Sequence, residues 1–341
     1  MIEYYRKKII NKRTKIIRKI NVDKKKFIDK KKFHLKSFGN LNPNKKFYLI
    51  RRFPGGGLFS NLSYIANHLL IANKLNYIPI VDMENYPNIY NCNFKVNKTF
   101  NSWLYYFRPL SKFSLSNIYK SKNVYLSTLN SNQLKNYKNF SDYTSAEKKI
   151  IFKYIKFNKK ILNQANNFYE KKIGKKKILG IHFRGSDQKT QERHALPASE
   201  EQMLSITKSL LKKYNFDLIF LSTEEKDYLK IFLKKFPRKI IYFNNPRTNK
   251  KDLFANNGKY HRFKIGEGNI LDMLILSKTK HLLFVQSNLA EAAIFFSKNK
   301  IFSFQIKNGY NSKNIFFAQI YWFIKKNLPK YLGGFDLNPF K

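Results

Sequence analysis

Residues 178–192 read I-L-G-I-H-F-R-G-S-D-Q-K-T-Q-E, an apolar run that ends directly in His182, Arg184, Asp187 and, further on, Glu192. The run follows a lysine block, Lys175 to Lys177, and is punctuated by Gly180 and Gly185. A short apolar run of this kind predicts a parallel strand covered on both faces. In open α/β sheets ligands collect at the carboxyl ends of such strands, which puts Arg184 where a ligand would sit. Its planar guanidinium suits a two-pronged grip on phosphate or carboxylate oxygens. The plainer alternative is an Arg184–Asp187 pair at a strand end, and this stretch alone leaves both open.

Toward the C-terminus, Ser199 and Gln202 form a capping-box pattern ahead of Met203, Ile206, Leu210 and Leu211, which predicts a helix. Strands are expected at 217–222, 239–243, 282–286 and 301–305. Helices are expected at 224–236, 270–277 and 289–297, with a polar loop running up to Gly268. Strands alternating with helices at this spacing predict a parallel sheet with right-handed crossovers, hence a Rossmann-like domain. An amphipathic closing helix is expected at 315–328.

Toward the N-terminus, a strand at 47–50 meets Arg51, Arg52, Phe53 and Pro54, then three consecutive glycines, Gly55, Gly56 and Gly57, then a helical pattern through Ile65, Ala66, Leu69 and Leu70. Glycine lets backbone approach a ligand closely, and Ser60 or Asn61 is expected to cap the helix. The loop is neither G-x-G-x-x-G nor a P-loop; it reads as a ligand loop beside two arginines or as a tight turn. A strand at 78–83 completes a β-α-β unit. Between residues 90 and 170 the pattern is weaker: residues 103–107 form an aromatic cluster expected in the core, and 145–172 suggests one or more lysine-rich helices bridging the halves. The expected organisation is a basic N-terminal segment (1–46), an N-terminal Rossmann-like acceptor-side domain with bridging helices (47–172), a C-terminal nucleotide-sugar domain (173–310) and a C-terminal helix and tail (311–341).

Composition narrows the function classes. The 341 residues, 43% of them apolar, are ample for two cores. The formal charge of +46 prompts thoughts of nucleic acid, but 56 of the 67 basic residues are Lys and only 11 are Arg, spread over the whole length. Abundant Lys with Asn, Ile and Phe fits an AT-rich coding sequence, whereas bases and phosphates are read preferentially by Arg, so no nucleic-acid partner is expected. Lys does suit an anionic membrane surface. Residues 1–46 hold 17 Lys+Arg against three acids, with Ile9, Ile10, Ile16, Ile17 and Ile20 giving a partial helical stripe. That segment reads either as a peripheral membrane contact or as a solvated helix or tail. One cysteine, Cys92, forbids an intramolecular disulfide and any cysteine-based zinc site. With no secretory h-region and no long apolar run, the expected location is cytoplasmic, in places peripheral at the inner membrane face.

Several expected strand ends carry polar residues able to face one crevice. The strand ending at Leu221 leads into Thr223, Glu224 and Glu225, and the strand ending at Val285 leads into Ser287 and Asn288, which open a helix. A helix N-terminus offers free N–H groups and a positive dipole end, so Ser287 and Asn288 are placed to hold a phosphate beside Arg184. Asp272, alone in an apolar helical stretch, is either an acid near the helix start or a ligand for a nucleobase edge.

The ordered set H-F-R-G-S-D-Q-K-T-Q-E, then His194 and Pro197, L-S-T-E-E, L-D-M-L-I-L-S and F-V-Q-S-N-L-A resembles the donor half of the fucosyltransferases of the α1,6 and protein-O type. The loop G-G-L-F-S-N-L is similar to the acceptor-side loop of the same clan. The resemblance covers residues 48–85 and 178–297. It implies a GT-B architecture, two Rossmann-like domains facing across a cleft, and an inverting, metal-independent transfer of a sugar, L-fucose first among candidates, from a GDP-sugar to a glycan or lipid-linked glycan acceptor. Surface polysaccharide biosynthesis is the setting it suggests, with no cofactor, the GDP-sugar being a substrate. By the same likeness Glu192, ten positions after His182, is the expected base, and His182 and Asp272 address the guanine end. The chain departs from the α1,6 pattern at Gly185, where a second Arg is expected, and at Gln188, where Lys is expected. The phosphate grip then falls to Lys189, or the donor differs. Glu224 and Glu225 replace a pair of aspartates.

No Asp-x-Asp occurs; Asp82 and Glu84 are the nearest substitute. One rival keeps the fold and chemistry with another GDP-deoxysugar or a GDP-heptose as donor. A rival of another class is a non-catalytic basic protein that binds acidic polysaccharide, lipid or nucleic acid.

Overall fold

The computed structural model describes residues 34–52, 56–249, 253–255 and 258–340, apart from the side chains of Ser186, Asp187 and Ala255. The isoleucine stripe between Ile9 and Ile20, and Gly55, lie outside the described residues. The chain divides into two compact units, residues 1–161 and 162–341.

In the first unit, strand β1 (His34–Lys36) and strand β2 (Leu41–Arg51) precede helix α1 (Leu58–Lys74), strand β3 (Ile78–Asp82), two single-turn helices, α2 (Trp103–Tyr106) and α3 (Leu115–Ile118), and strand β4 (Ser121–Leu126). The sheet order is β1-β4-β2-β3, with β2 parallel to both β3 and β4 and only β1 antiparallel. Residues 34–36 and 41–46 therefore lie in the sheet. The expected strand began at Phe47 because only the second half of β2 is buried; its first half is polar, holds Pro43 and carries a register shift between Leu41 and Lys46. β4 has no apolar alternation to announce it, yet Val124 and Leu126 pack with Phe47, Leu49 and Ile80 in the core. The aromatic cluster is core as expected, with Trp103 stacked on Phe107 at 4.2 Å. Helix α4 (Ser145–Tyr154), opened by a reciprocal Thr144–Glu147 capping box, follows, and helix α5 (Lys159–Lys172) starts in the first unit and continues into the second.

The second unit strings β5 (Ile178–His182), α6 (Glu200–Tyr214), β6 (Leu218–Ser222), α7 (Lys226–Lys235), β7 (Ile240–Ile241), α8 (His261–Leu276), β8 (His281–Val285), α9 (Asn288–Phe296) and β9 (Phe302–Ile306). All five strands are parallel, in the order β7-β6-β5-β8-β9, the Rossmann strand order. Every residue of β5 is buried, as a strand covered on both faces requires. Leu179, Ile181, Leu221, Leu283 and Val285 meet Met203 and Ile206 of α6 in one core.

Three local expectations need correction here. Helix α8 begins at His261, well inside the stretch read as loop, because two glycines, Gly266 and Gly268, masked its period. At Gly268 a side chain could not fit: a Cβ would lie 2.5 Å from the Asn245 amide carbon, and Asn245 donates to the Gly268 carbonyl at 3.2 Å. Ser199 does cap α6, but the reciprocal half of the capping box is missing, since Gln202 exchanges hydrogen bonds with Asn308 instead. The closing helix is two pieces, α10 (Ile315–Ala318) and α11 (Tyr321–Asn327). No helix among the described residues is long and apolar enough to cross a membrane.

Candidate active site at the switch point of the second sheet

Strands β5 and β8 are neighbours, paired from Leu179–His281 to His182–Phe284, and the chain leaves them in opposite directions. That divergence opens a crevice at their carboxyl ends, the general ligand position of such sheets. The loop after β5 carries Phe183, Arg184 and Gly185 into a 3-10 turn at Ser186–Lys189. The loop after β8 carries Gln286 into Ser287, whose Oγ accepts from the Ala290 N–H at 3.2 Å and so caps α9; Asn288 is exposed in its first turn. Gln188 ties the two loops by donating to the Gln286 carbonyl at 3.3 Å. The departure at Gln188 thus has a structural use.

Arg184 pairs with Glu224 at the end of β6, Nε to Oε1 3.4 Å, and its side chain stays 36% exposed. The Asp187 side chain of the alternative Arg184–Asp187 pair lies outside the described residues. Lys189 is not an open phosphate ligand: its ammonium sits 3.1 Å from Glu225 Oε2 and over the rings of Tyr228 and Trp322, at 4.8 and 5.0 Å. Its charge is satisfied within the protein, against the expectation that it takes over the diphosphate grip. The departure at Gly185 belongs to the same arrangement. A Cβ there would lie 2.1 Å from Glu225 Oε1 and 2.7 Å from the Tyr228 hydroxyl, so the carboxylate fills the space that a second arginine would need. Tyr228 cannot swing away, being stacked on Phe183 at 3.7 Å.

Behind this front lies a buried polar chain. His182 is 6% exposed and its Nδ1 is 3.2 Å from Ser222 Oγ, while Nε2 has no hydrogen-bond partner among the described residues. Burial, and then the charge of Arg184, lower its pKa to about 3, so the ring is neutral. Asp272 is 5% exposed and accepts from Asn245 Nδ2 at 3.0 Å. Burial pushes it up to about 7 against the pull of Ser222, Arg247 and Asn245. Ser222 therefore joins the two residues assigned by likeness to the base end. Asn245 and Arg247 escaped the sequence reading because they stand in an irregular loop. Arg247 is anchored by the carbonyls of Thr223, Asn245 and Phe243 at 3.0, 3.1 and 2.7 Å.

Glu192 is half-buried and makes no ion pair with Arg193 among the described residues. Its loop is stitched to the C-terminal segment. The Arg193 N–H donates to the Ser312 carbonyl at 3.2 Å, Leu196 to Gly309 at 2.9 Å, Asn311 to the Lys189 carbonyl at 3.3 Å and Gln319 to the Thr190 carbonyl at 3.0 Å. Trp322 donates to the Pro197 carbonyl at 2.8 Å from beneath. Residues 309–322 thus hold the Glu192 loop in place, a role no local pattern could reveal.

The described residues flanking the glycine loop, Arg52 and Gly56, are tied to the start of α1. Helix α1 is capped by Gly57, which corrects the expectation that Ser60 or Asn61 does so; both lie inside the first turn. Asn61 instead accepts from the Gly56 N–H at 3.1 Å and donates to the Gly56 carbonyl at 3.0 Å, and Arg52 binds Ser60 and Asn61. Asp82 is buried with its carboxylate accepting from the Glu84 and Asn85 N–H groups, the Asn85 amide and the Tyr119 hydroxyl. It closes a turn at a strand end, which leaves little of it for a cation.

No family model matches the chain, and no curated protein matches it in sequence. Solved structures similar to it include the fucosyltransferase NodZ from Bradyrhizobium, at 15% identity and a TM-score of 0.46 over 73% of this chain and 92% of that one. POFUT1 in complex with GDP aligns at 11% identity and a TM-score of 0.44, over 77% of this chain and 99% of that one. Arabidopsis thaliana FUT1 in complex with GDP aligns at 12% identity and a TM-score of 0.44, over 78% and 71%.

Proposed function

We propose that the chain is a glycosyltransferase that binds a GDP-sugar, L-fucose being the first candidate, at the switch-point crevice of its second unit and transfers the sugar to a glycan hydroxyl with inversion. The observation that carries this reading is the convergence at one crevice of a half-exposed Arg184, the Ser287-capped start of α9 and the buried His182–Ser222–Asp272 chain. Arg184 and the N–H groups of that helix start stabilise charge developing on the leaving diphosphate. The neutral imidazole of His182, with an open Nε2, and the buried Asp272 supply polar edges for the base. Glu192 removes the acceptor hydroxyl's proton as its oxygen bonds to the anomeric carbon and the bond to the diphosphate breaks. No cofactor or metal enters this scheme.

The displacement of a second arginine by Glu225 at Gly185 favours a second reading in which the same chemistry uses another GDP-deoxysugar or a GDP-heptose. A donor screen decides: nucleotide-sugars are added to the purified protein and released nucleoside diphosphate is measured, for the wild type and Arg184→Lys. Release from GDP-sugars only, with most turnover lost in Arg184→Lys because the planar fork is gone, supports the proposal. Release from none, or near-normal rates with Lys, defeats it.

A further inference from the structure

The C-terminal helices carry their apolar face outward. In α10 and α11 the residues turned inward are Ala318 and Trp322, both at most 2% exposed, whereas Phe317, Ile320, Phe323 and Ile324 are 43, 50, 48 and 42% exposed. These four recur at helical spacing, so they share one side of the segment. The turn that follows exposes Tyr331 and Leu332 at 85 and 58%. A side this apolar on a chain of mean hydropathy −0.51 marks an interaction surface.

Charge identifies the occupant. Residues 307–340 hold five lysines, Lys307, Lys313, Lys325, Lys326 and Lys330, against one acid, Asp336. Lys326 and Lys330 are paired with Glu200 and Asp336, at 2.7 and 2.6 Å, on stems long enough to turn to another anion. A second copy of a chain carrying +46 would set lysines against lysines. Exposed aromatic and aliphatic side chains in a lysine-rich segment suit the headgroup region of an anionic bilayer, where rings enter the boundary and ammonium groups meet phosphate. We propose that α10 and α11 form a docking surface for an anionic membrane. Because Gln319 and Trp322 hold the Glu192 loop, docking sets that loop beside the lipid surface, and on the reading of Glu192 as base the acceptor glycan is carried on a lipid.

The test is cosedimentation of the full chain with vesicles of phosphatidylglycerol and phosphatidylethanolamine, and with phosphatidylcholine alone, at physiological salt. The wild type is expected to bind the anionic vesicles only. Ile324→Ser, Tyr331→Ser and Leu332→Ser together, all outside the segment that holds the Glu192 loop, are expected to weaken binding about tenfold or more, with the circular dichroism and the vesicle-free release of GDP from GDP-fucose unchanged. Lys307→Glu with Lys313→Glu, both exposed and outside the two helices, is expected to weaken it comparably and carries the test if the triple variant misfolds. Wild-type binding that neither variant changes, or no binding to anionic vesicles, overturns the docking proposal. A wild-type dimer that the triple variant dissociates, without vesicle binding, shows a subunit interface instead. Docking without any GDP release would leave the surface standing and sink the enzymatic reading alone.

Discussion

Asp272→Asn isolates the energetics of the buried chain behind the candidate site. Burial raises the Asp272 pKa from its usual 3.8 to about 7, so the folded protein holds that proton more tightly than the unfolded chain does. Its contribution to stability is full below pH 3.8 and is lost as pH rises through 7. A gap of about 3 pH units at about 1.36 kcal/mol each sets a ceiling of ~4 kcal/mol on the loss. Asparagine keeps the shape: its oxygen can still accept from Asn245, and its amide can donate to Ser222. Arg247 loses a nearby charge but keeps three carbonyl partners. The net expectation is a gain of about 1–3 kcal/mol at pH 8 and almost none at pH 4, where Asp272 is already neutral. His182 runs the other way. Its pKa falls from 6.5 to about 3, so its share is full above pH 6.5 and lost as pH drops toward 3. The two slopes oppose each other in the wild type between pH 4 and 6.5, and in Asp272→Asn only that of His182 remains. Urea unfolding followed by circular dichroism at pH 4, 6 and 8 measures both. A variant less stable than the wild type at pH 8, or one whose advantage is equal at pH 4 and 8, refutes the reasoning.

Gly185→Ala is expected to destabilise by about 2–4 kcal/mol, because the new methyl drives Glu225 from Lys189 while Tyr228 stays locked against Phe183; an unfolding midpoint within experimental error of the wild type would show that the site accommodates a side chain. Donor turnover is expected to survive EDTA, since Asp82 already accepts hydrogen bonds on both oxygens. Loss in chelator that Mn²⁺ or Mg²⁺ restores would require a cation site and return attention to Asp82 and Glu84.

Much of the second unit is legible in sequence because its strands are short apolar runs separated by helical periods, and each run ends in residues of another kind. Where tertiary packing overrides local pattern, the reading fails. Gly268 looks like loop until Asn245 is seen packed on it, and β4 is polar along half its length yet lies between two other strands. That Arg184, Ser287 and Asn288 stand just beyond strand ends is legible from the apolar runs alone. The partners that set their surroundings are far off in the chain: Glu225 under Gly185, Arg247 beside Asp272, and Trp322 beneath the Glu192 loop. These contacts join residues from 25 to 125 positions apart, and no spacing rule encodes them.

On the proposed function, one crevice binds a nucleoside diphosphate and Glu192 acts there only as a base. Calorimetric titration of GDP into the wild type and Glu192→Gln, followed by sugar transfer from GDP-fucose with each, tests it most directly. Glu192→Gln preserves shape and removes basicity, so GDP should bind both proteins equally while transfer falls about 10²- to 10⁴-fold. Equal transfer by both would place the base elsewhere, and failure of either protein to bind GDP would contradict the account at its foundation.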